Sequence, residues 1–304
     1  MYKNNFKKLF RDAHSISLET ANPDLVAHIS FGYRNLLILA YTMPWVTETF
    51  GDQADPRELT ARMLEASNIL AADLDKDMTV EDRARCIVYL LHSLSFHYNP
   101  DHMQIAQNAA TEIIDAVEQA QMQKQELAQT QTQSQAAPDK YLPLANSPDL
   151  CKILCYDYYF RTDKTSRKKA EDLLTQWKEQ LQEEGSWKDL TADKALQRLE
   201  SYALYSDVAD QHKYEKTIRK ALQYYSELPQ IINEVRFLIL LAHMGKFQNY
   251  PTQVEQIINN VLDGKFSSSA TGSISDKARN AEPDMLKALQ FHILALYLLN
   301  TEQE

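Results

Sequence analysis

The chain has 304 residues, 44% of them hydrophobic, with six glycines, ten prolines, three cysteines and a formal net charge of −10. So little glycine and proline favours helix and argues against a β-rich fold, which needs more turn residues. The negative charge disfavours nucleic acid as the main ligand, and the few cysteines exclude a disulfide framework and suit a cytoplasmic protein.

Predicted helices follow one another from the N-terminus, and most of them start at a capping signal. An amphipathic first helix around Phe6 and Phe10 fits a cap on the fold or, alternatively, a helix lying on a membrane surface. Later helix starts carry proline at the first helical position or a capping box, and they lie at Asn22, Asp55, Thr79, Asn99 and Ser147. The apolar runs are too short to cross a bilayer, so we expect no membrane span.

The composition changes between Gln119 and Gln135, where glutamine dominates and no aromatic residue occurs. Within it, Thr130–Pro138 has nothing to bury and is typical of a flexible linker, although the preceding helix could continue to about Leu127. The sequence therefore predicts an N-terminal helical-hairpin half (residues 1–118), a glutamine-rich flexible linker (residues 119–142) and a C-terminal helical-repeat half (residues 143–304).

A four-residue frame occurs twice at one constant offset, as Arg85, His92, Phe96 and Pro100 and again as Arg236, His243, Phe247 and Pro251. Looser copies pair a cationic or amide anchor with a tyrosine seven residues on. They are Arg34/Tyr41, Lys152/Tyr159, Arg198/Tyr205 and Gln290/Tyr297. Seven residues are about two helical turns, so both members of each pair lie on one face of a helix.

These repeated pairs resemble the tetratricopeptide-like class of α-α repeats, which has an aromatic residue seven positions after the first anchor of each unit. The resemblance implies an all-α fold, a right-handed α-solenoid of about five helical hairpins plus a terminal helix. It also implies a protein- or peptide-binding scaffold, because repeat stacks normally bind partners on their concave surface.

Side chains turned about 100° away from the packed stripe are expected to face that concave groove. In the third and fourth units these are Asp157, Tyr158, Ser201 and, near the edge, Tyr205. We therefore predict that these four residues contact the partner, while Tyr156 belongs to the packed stripe.

An enzyme is the alternative. Arg85/His92 and Arg236/His243 resemble the Arg-x(4–6)-His motif of HEPN-type ribonucleases, which implies metal-independent RNA cleavage. A carbohydrate-active cavity is a second enzymatic alternative. Tyrosine replaces histidine in the other units, which favours a structural role for the column. If both histidines are packed among leucines, the role is structural; if they open into a polar groove beside their arginines, the enzyme is favoured.

Three further groups of residues suggest sites. His97, Asp101 and His102 surround a turn and could bind a metal, but no second cluster supports them, so we predict no metal and no cofactor. Cys151 and Cys155 lie one turn apart and are expected to be buried thiols. A basic cluster could hold an anion at a helix start or form a solvated turn. It comprises Arg161, Lys164, Arg167, Lys168 and Lys169.

Overall fold

The computed structural model describes residues 2–19, 21–129, 140–182, 192–209, 216–218, 234–243, 247–263 and 283–301. Regular structure in these ranges is entirely helical, which confirms the all-α prediction. None of the helices in the described ranges combines the length and the apolar character needed to cross a bilayer.

The α-helices are α1 (Tyr2–His14), α2 (Pro23–Thr42), α3 (Pro44–Phe50), α4 (Pro56–Asp73), α5 (Val80–Leu94), α6 (Pro100–Gln129), α7 (Pro148–Arg161), α8 (Lys164–Gln182), α9 (Ala192–Ala209), α10 (Glu234–His243), α11 (Pro251–Leu262) and α12 (Pro283–Thr301). Short 3-10 helices lie at Gly51–Ala54, Leu142–Asn146 and Phe247–Asn249.

The predicted capping residues do cap helices. The side chains of Asn22, Thr79 and Ser147 each accept a hydrogen bond from the backbone N–H three residues on. Each of these bonds satisfies one of the donors that a helix N-terminus leaves unpaired. The turn chemistry read from the sequence therefore sets where α2, α5 and α7 begin.

Six of the described helices form an inner ring. In chain order they are α2, α5, α7, α9, α10 and α12; each contacts the next, and α12 packs along α2 to close the ring. These are the helices that carry the six anchor pairs found in the sequence. The seven-residue frame therefore marks the inner helices.

The inner helices α2, α5 and α7 run in the same direction. The Tyr89 hydroxyl of α5 donates to Asp24 near the start of α2, and further along both helices Arg34 stacks on Phe96, just after the end of α5. The remaining helices pack outside the ring: α4 against α2 and α5, α6 against α5 and α7, α8 against α7 and α9, α11 against α10 and α12, and α1 against α12.

A cluster of aromatic side chains packs where α12 meets α2 and closes the ring. The ring of Phe291 in α12 lies 5.9 Å from that of Phe6 and 5.5 Å from that of Tyr33, measured between centroids. Gly32 in α2 faces Phe291, and a methyl group at this position would overlap the phenyl ring. Glycine is therefore needed there because α2 and α12 approach closely.

Closure of the ring changes two expectations. An open stack would present a concave surface, whereas here the inner faces surround a central space. The predicted linker, residues 119–142, is helical as far as Gln129, at the end of α6, and residues 130–139 lie outside the described ranges. The two predicted halves also pack directly against each other, through α5 with α7 and through α2 with α12.

Candidate functional site

The inner ring encloses a cavity of about 330 Å³, and all six inner helices contribute to its lining. This volume lies within the range of small-molecule sites. Its charged side chains are Arg34, Arg85, Asp149, Lys152 and Glu200, and its imidazoles are His28, His92 and His292. The lining of the cavity therefore combines charged and polar side chains with apolar ones, whereas the core that holds the helices together is apolar.

Arg34 lines the cavity without a carboxylate partner among the described residues. Its guanidinium stacks on Phe96 at 4.5 Å from the ring centroid, and its Nε is buried without a hydrogen-bond partner among the described residues. Burial lowers the pKa of Arg34. Tyr156 opposes this effect, and no carboxylate of the described residues does so. Arginine nevertheless stays charged. The cavity therefore contains a cation with no anionic partner in the described part of the protein.

The other charged groups of the lining lie near opposite charges, and Asp149 is one of the acidic groups that act on Arg85. Lys152 Nζ lies 2.7 Å from Glu200 Oε2, and their side chains are only 15% and 14% exposed. Arg85 donates to Asp82 at 3.3 Å at the start of α5. These pairs cancel charge locally, so Arg34 dominates the field at its end of the cavity.

Two pairs of titratable groups lie beside Arg34. His28 and His292 bring their Nδ1 atoms to 3.0 Å, and His92 Nδ1 lies 2.5 Å from the Tyr156 hydroxyl. The ring of Phe31 packs edge-on between them, 4.6 Å from that of His92 and 5.7 Å from that of His292.

The protein environment holds His292 and Tyr156 in their neutral forms. Burial lowers the pKa of His292 well below its ordinary value, and the nearby His28, His92 and Arg34 lower it further. Burial likewise raises the pKa of Tyr156, so its hydroxyl keeps its proton. Beside a cation, a neutral imidazole can accept a proton and a protonated phenol can donate one.

The Arg85/His92 pair opens into this polar cavity and is not packed among leucines. The criterion set from the sequence concerns both histidines, and of the two only the side chain of His92 belongs to the described part of the chain. Arg236 and His243 belong to α10, but their side chains lie outside the described part of the chain. Ile239 and Ala242 of the same helix line the cavity.

Three of the four predicted partner contacts are buried, so their placement in an open groove is wrong. Asp157 is 5% exposed, Ser201 is 0% and Tyr205 is 1%. Asp157 accepts a hydrogen bond from the Ser166 hydroxyl. Ser201 donates to one backbone carbonyl within α9 and to that of Pro148 in α7. The reason is that α7 packs against α5, α8 and α9, and α9 packs against α7, α8 and α10, so a direction away from one stripe meets another helix.

Tyr158 remains half-buried, and the guanidinium of Arg167 lies 5.2 Å from its ring centroid. Tyr156, expected in the packed stripe, is 3% exposed. Tyr156 is therefore the more deeply buried of the two tyrosines, and the partner contact at Tyr158 stays a prediction.

The structure also describes the surroundings of the remaining sequence candidates. In the described ranges no group of three His, Cys, Asp or Glu side chains could hold a metal, and this includes the turn with His97, Asp101 and His102. Cys151 and Cys155 are buried, as expected for core thiols. Within the basic cluster, Arg161 pairs with Asp157 and Lys169 pairs with Glu118.

Sequence reasoning missed the central part of the site. It named Arg34 and Lys152 only as repeat anchors, and it assigned no role to His28 or His292. The anchor column was the available signal, because the anchors Arg34, Arg85 and Lys152 and neighbours one turn away line the cavity. No local pattern joins His28 to His292, whose contact depends on ring closure.

No protein-family model matches the chain. Comparisons with the curated proteins and with the solved structures found no match either. The chemistry of the central cavity is therefore the basis for inferring a function.

Proposed function

We propose that the protein binds a small organic anion in its central cavity and acts on it by acid–base chemistry. The observation that carries this proposal is the position of Arg34, a cation inside the cavity with no carboxylate partner among the described residues. A buried charge is costly unless it is paired, and a carboxylate or phosphate group of a ligand would supply the missing partner.

The imidazoles support an enzyme more than a passive binder. His92, hydrogen-bonded to Tyr156, lies near the same end of the cavity as Arg34, as does the His28–His292 pair. Histidine and tyrosine are common general acids and bases, and perturbed titratable groups in a cavity mark candidate active sites. A proton acceptor beside an anion anchor suits proton transfer at a carbon or oxygen close to the anionic group.

The cavity favours a small substrate over a polymer. A volume of about 330 Å³ matches a metabolite-sized molecule, whereas an RNA strand needs an open groove. We therefore favour a small-molecule enzyme over the ribonuclease alternative suggested by the Arg85/His92 motif. A cytoplasmic location remains part of the proposal.

Binding of a protein or peptide partner is the second candidate, and exposed aromatic side chains favour it. Tyr41 is 73% exposed, Tyr98 65% and Tyr159 49%. They lie at or just after the C-terminal ends of α2, α5 and α7, which are neighbouring helices running in the same direction. Exposed tyrosines gathered at one end of a ring are typical of contact surfaces.

The test is to search for a copurifying anion. Native mass spectrometry of freshly purified protein should show a bound small molecule that is absent from Arg34→Met. The matched control is Arg83→Met, because Arg83 pairs with Glu112 on the outside and its side chain is 35% exposed. A series of carboxylates and phosphate esters should then raise the melting temperature of the wild type and of this control.

Two results would overturn the proposal. One is a wild-type protein that neither carries an anion nor gains thermal stability from any in the series. The other is equal binding by Arg34→Met and wild type. Loss of capture of a protein partner on changing Tyr98 to serine, with no small-molecule binding, would favour the second candidate.

A further inference from the structure

We infer that anion binding in the central cavity is coupled to the uptake of one proton, held by the buried His28–His292 pair. This inference rests on the proposed function, because it requires an anion beside Arg34. It adds a regulatory property of the same site, namely that the bound state should be favoured by acid.

The geometry of the pair limits it to one additional proton. The two Nδ1 atoms are 3.0 Å apart, so one ring donates a single hydrogen and the other accepts it. A further proton can bind the Nε2 atom of the donor ring and leave the shared hydrogen bond intact. A second additional proton would place two hydrogens between the Nδ1 atoms and break the contact.

The location of the pair makes it sensitive to the contents of the cavity. His28 and His292 are 3% and 4% exposed, and both line the cavity from adjacent helices, α2 and α12. With so little water around the rings, an entering charge is weakly screened. The protonation state of the pair should therefore respond to a ligand more strongly than a surface histidine would.

The groups that face the pair oppose its protonation when the cavity holds no anion. Arg34 of α2 and His92 of α5 act on His292, and burial is the largest of the causes that hold its pKa well below the ordinary value. Tyr156 of α7 stays neutral, and the Lys152–Glu200 pair of α7 and α9 cancels internally. Arg85 and Asp149 line the cavity from the starts of α5 and α7. The described parts of α1, α4, α10 and α11 add no charged side chain to the lining.

An anion at Arg34 reverses this balance. It neutralises the guanidinium that repels a charged imidazole, and it adds an attraction of its own. The pair then binds a proton more tightly with the anion present than without it, and by reciprocity the anion binds more tightly to the protonated pair. Because the proton is taken up on binding, the affinity rises as the pH falls, by up to about tenfold per pH unit.

Sulfate is a suitable probe, because its charge is constant over the pH range in which histidine titrates. Its affinity should be measured by titration from about pH 8 to about pH 6. Calorimetry in two buffers of different ionisation enthalpy should count the protons taken up. Spectra of protein labelled with ¹⁵N at histidine should show one of the two rings become an imidazolium when sulfate is added.

The variants separate the inference from its premise. In His292→Phe the proton uptake and the pH dependence should disappear, whereas the control His97→Phe, altered in a turn outside the cavity lining, should keep both. If His292→Phe does not fold, the proton count of the wild type decides. Sulfate binding lost in Arg34→Met supports the premise.

One outcome would overturn only the proton coupling, and another would overturn the anion site itself. Sulfate binding that depends on Arg34 but shows the same affinity across the pH range, with no proton uptake, overturns the coupling and leaves the proposed function standing. A wild type that does not bind sulfate, or an Arg34→Met variant that binds it equally well, overturns the anion site itself and the inference with it.

Discussion

The imidazole of His92 and the hydroxyl of Tyr156 meet at 2.5 Å, although the glutamine-rich stretch lies between them in the chain. On the outside of the same junction, Arg161 of α7 donates to the Thr111 hydroxyl of α6 at 3.0 Å. The two halves recognised in the sequence are therefore joined by hydrogen bonds both inside and outside the ring.

Removing the Tyr156 hydroxyl should weaken this junction. Tyr156→Phe keeps the ring but loses the buried hydrogen bond to His92, so the free energy of unfolding should fall by about 1–2 kcal/mol. The matched control is Tyr158→Phe on the same helix, whose hydroxyl meets Arg167 at 3.4 Å from a half-buried position. It should change stability by less than about 0.5 kcal/mol. Urea denaturation measures both, and equal losses would contradict the assignment.

Two glycine-to-alanine changes should differ in size and in cause. Gly32→Ala forces a methyl group against Phe291 and should cost about 1–3 kcal/mol through overpacking where α2 meets α12. Gly51 has open space around its Cβ position but a φ of +55°, so Gly51→Ala should cost about 1 kcal/mol through backbone strain alone. Thermal denaturation compares them. A larger loss for Gly51→Ala would mean that α2 and α12 are not so closely packed.

Stability should fall in mild acid because of His292. Burial lowers the pKa of His292 in the folded chain, so below about pH 6.5, the ordinary value, the unfolded chain binds a proton that the folded chain refuses. The unfolding free energy should therefore decrease as the pH falls through this window, by up to about 1.4 kcal/mol per pH unit. His14 and His102 have pKa values shifted in the same direction, mainly by burial.

His292→Phe should flatten this pH dependence, because it removes one of the groups that the folded state keeps neutral. Urea denaturation of both proteins at several pH values gives the two slopes. Identical slopes would show that His292 takes up its proton as readily in the folded chain as in the unfolded one.

Cleavage in the glutamine-rich stretch should leave the protein assembled. Limited proteolysis should cut first between about Ala128 and Asp139, because the composition there offers no large apolar side chain to bury. Since α5 packs on α7 and α2 on α12, the two fragments should elute together in size-exclusion chromatography. Fragments that separate without denaturant, or a first cut inside α9, would contradict the closed ring.

The inner helices could be predicted from the sequence because each carries an anchor and a partner two turns later on one face. Capping residues such as Asn22 and Thr79 fixed their starts, since these signals are local. The binding face could not be placed in the same way. A helical stripe gives a direction relative to one neighbour, and Asp157 and Tyr205 proved to face other helices.

The closed ring and its cavity were beyond the reach of local patterns. Gly32 and Phe291 carry no sequence signal that they meet, and His28 and His292 are ordinary residues of apolar helices until α12 packs on α2. Arg34 was visible as an anchor, but its missing carboxylate partner is a property of three-dimensional packing. The chemistry of the site therefore follows from contacts between residues far apart in the chain.

The closing contact also sets an order of assembly. The residues of the His28–His292 pair are 264 positions apart, so bringing them together has a large loop-closure entropy cost while the intervening chain is disordered. Neighbouring hairpins, by contrast, can form from local contacts, as in other low-contact-order segments. Docking of α12 on α2 should therefore be the late and slow step of folding. A nascent chain would have no closed central cavity until α12 had left the ribosome.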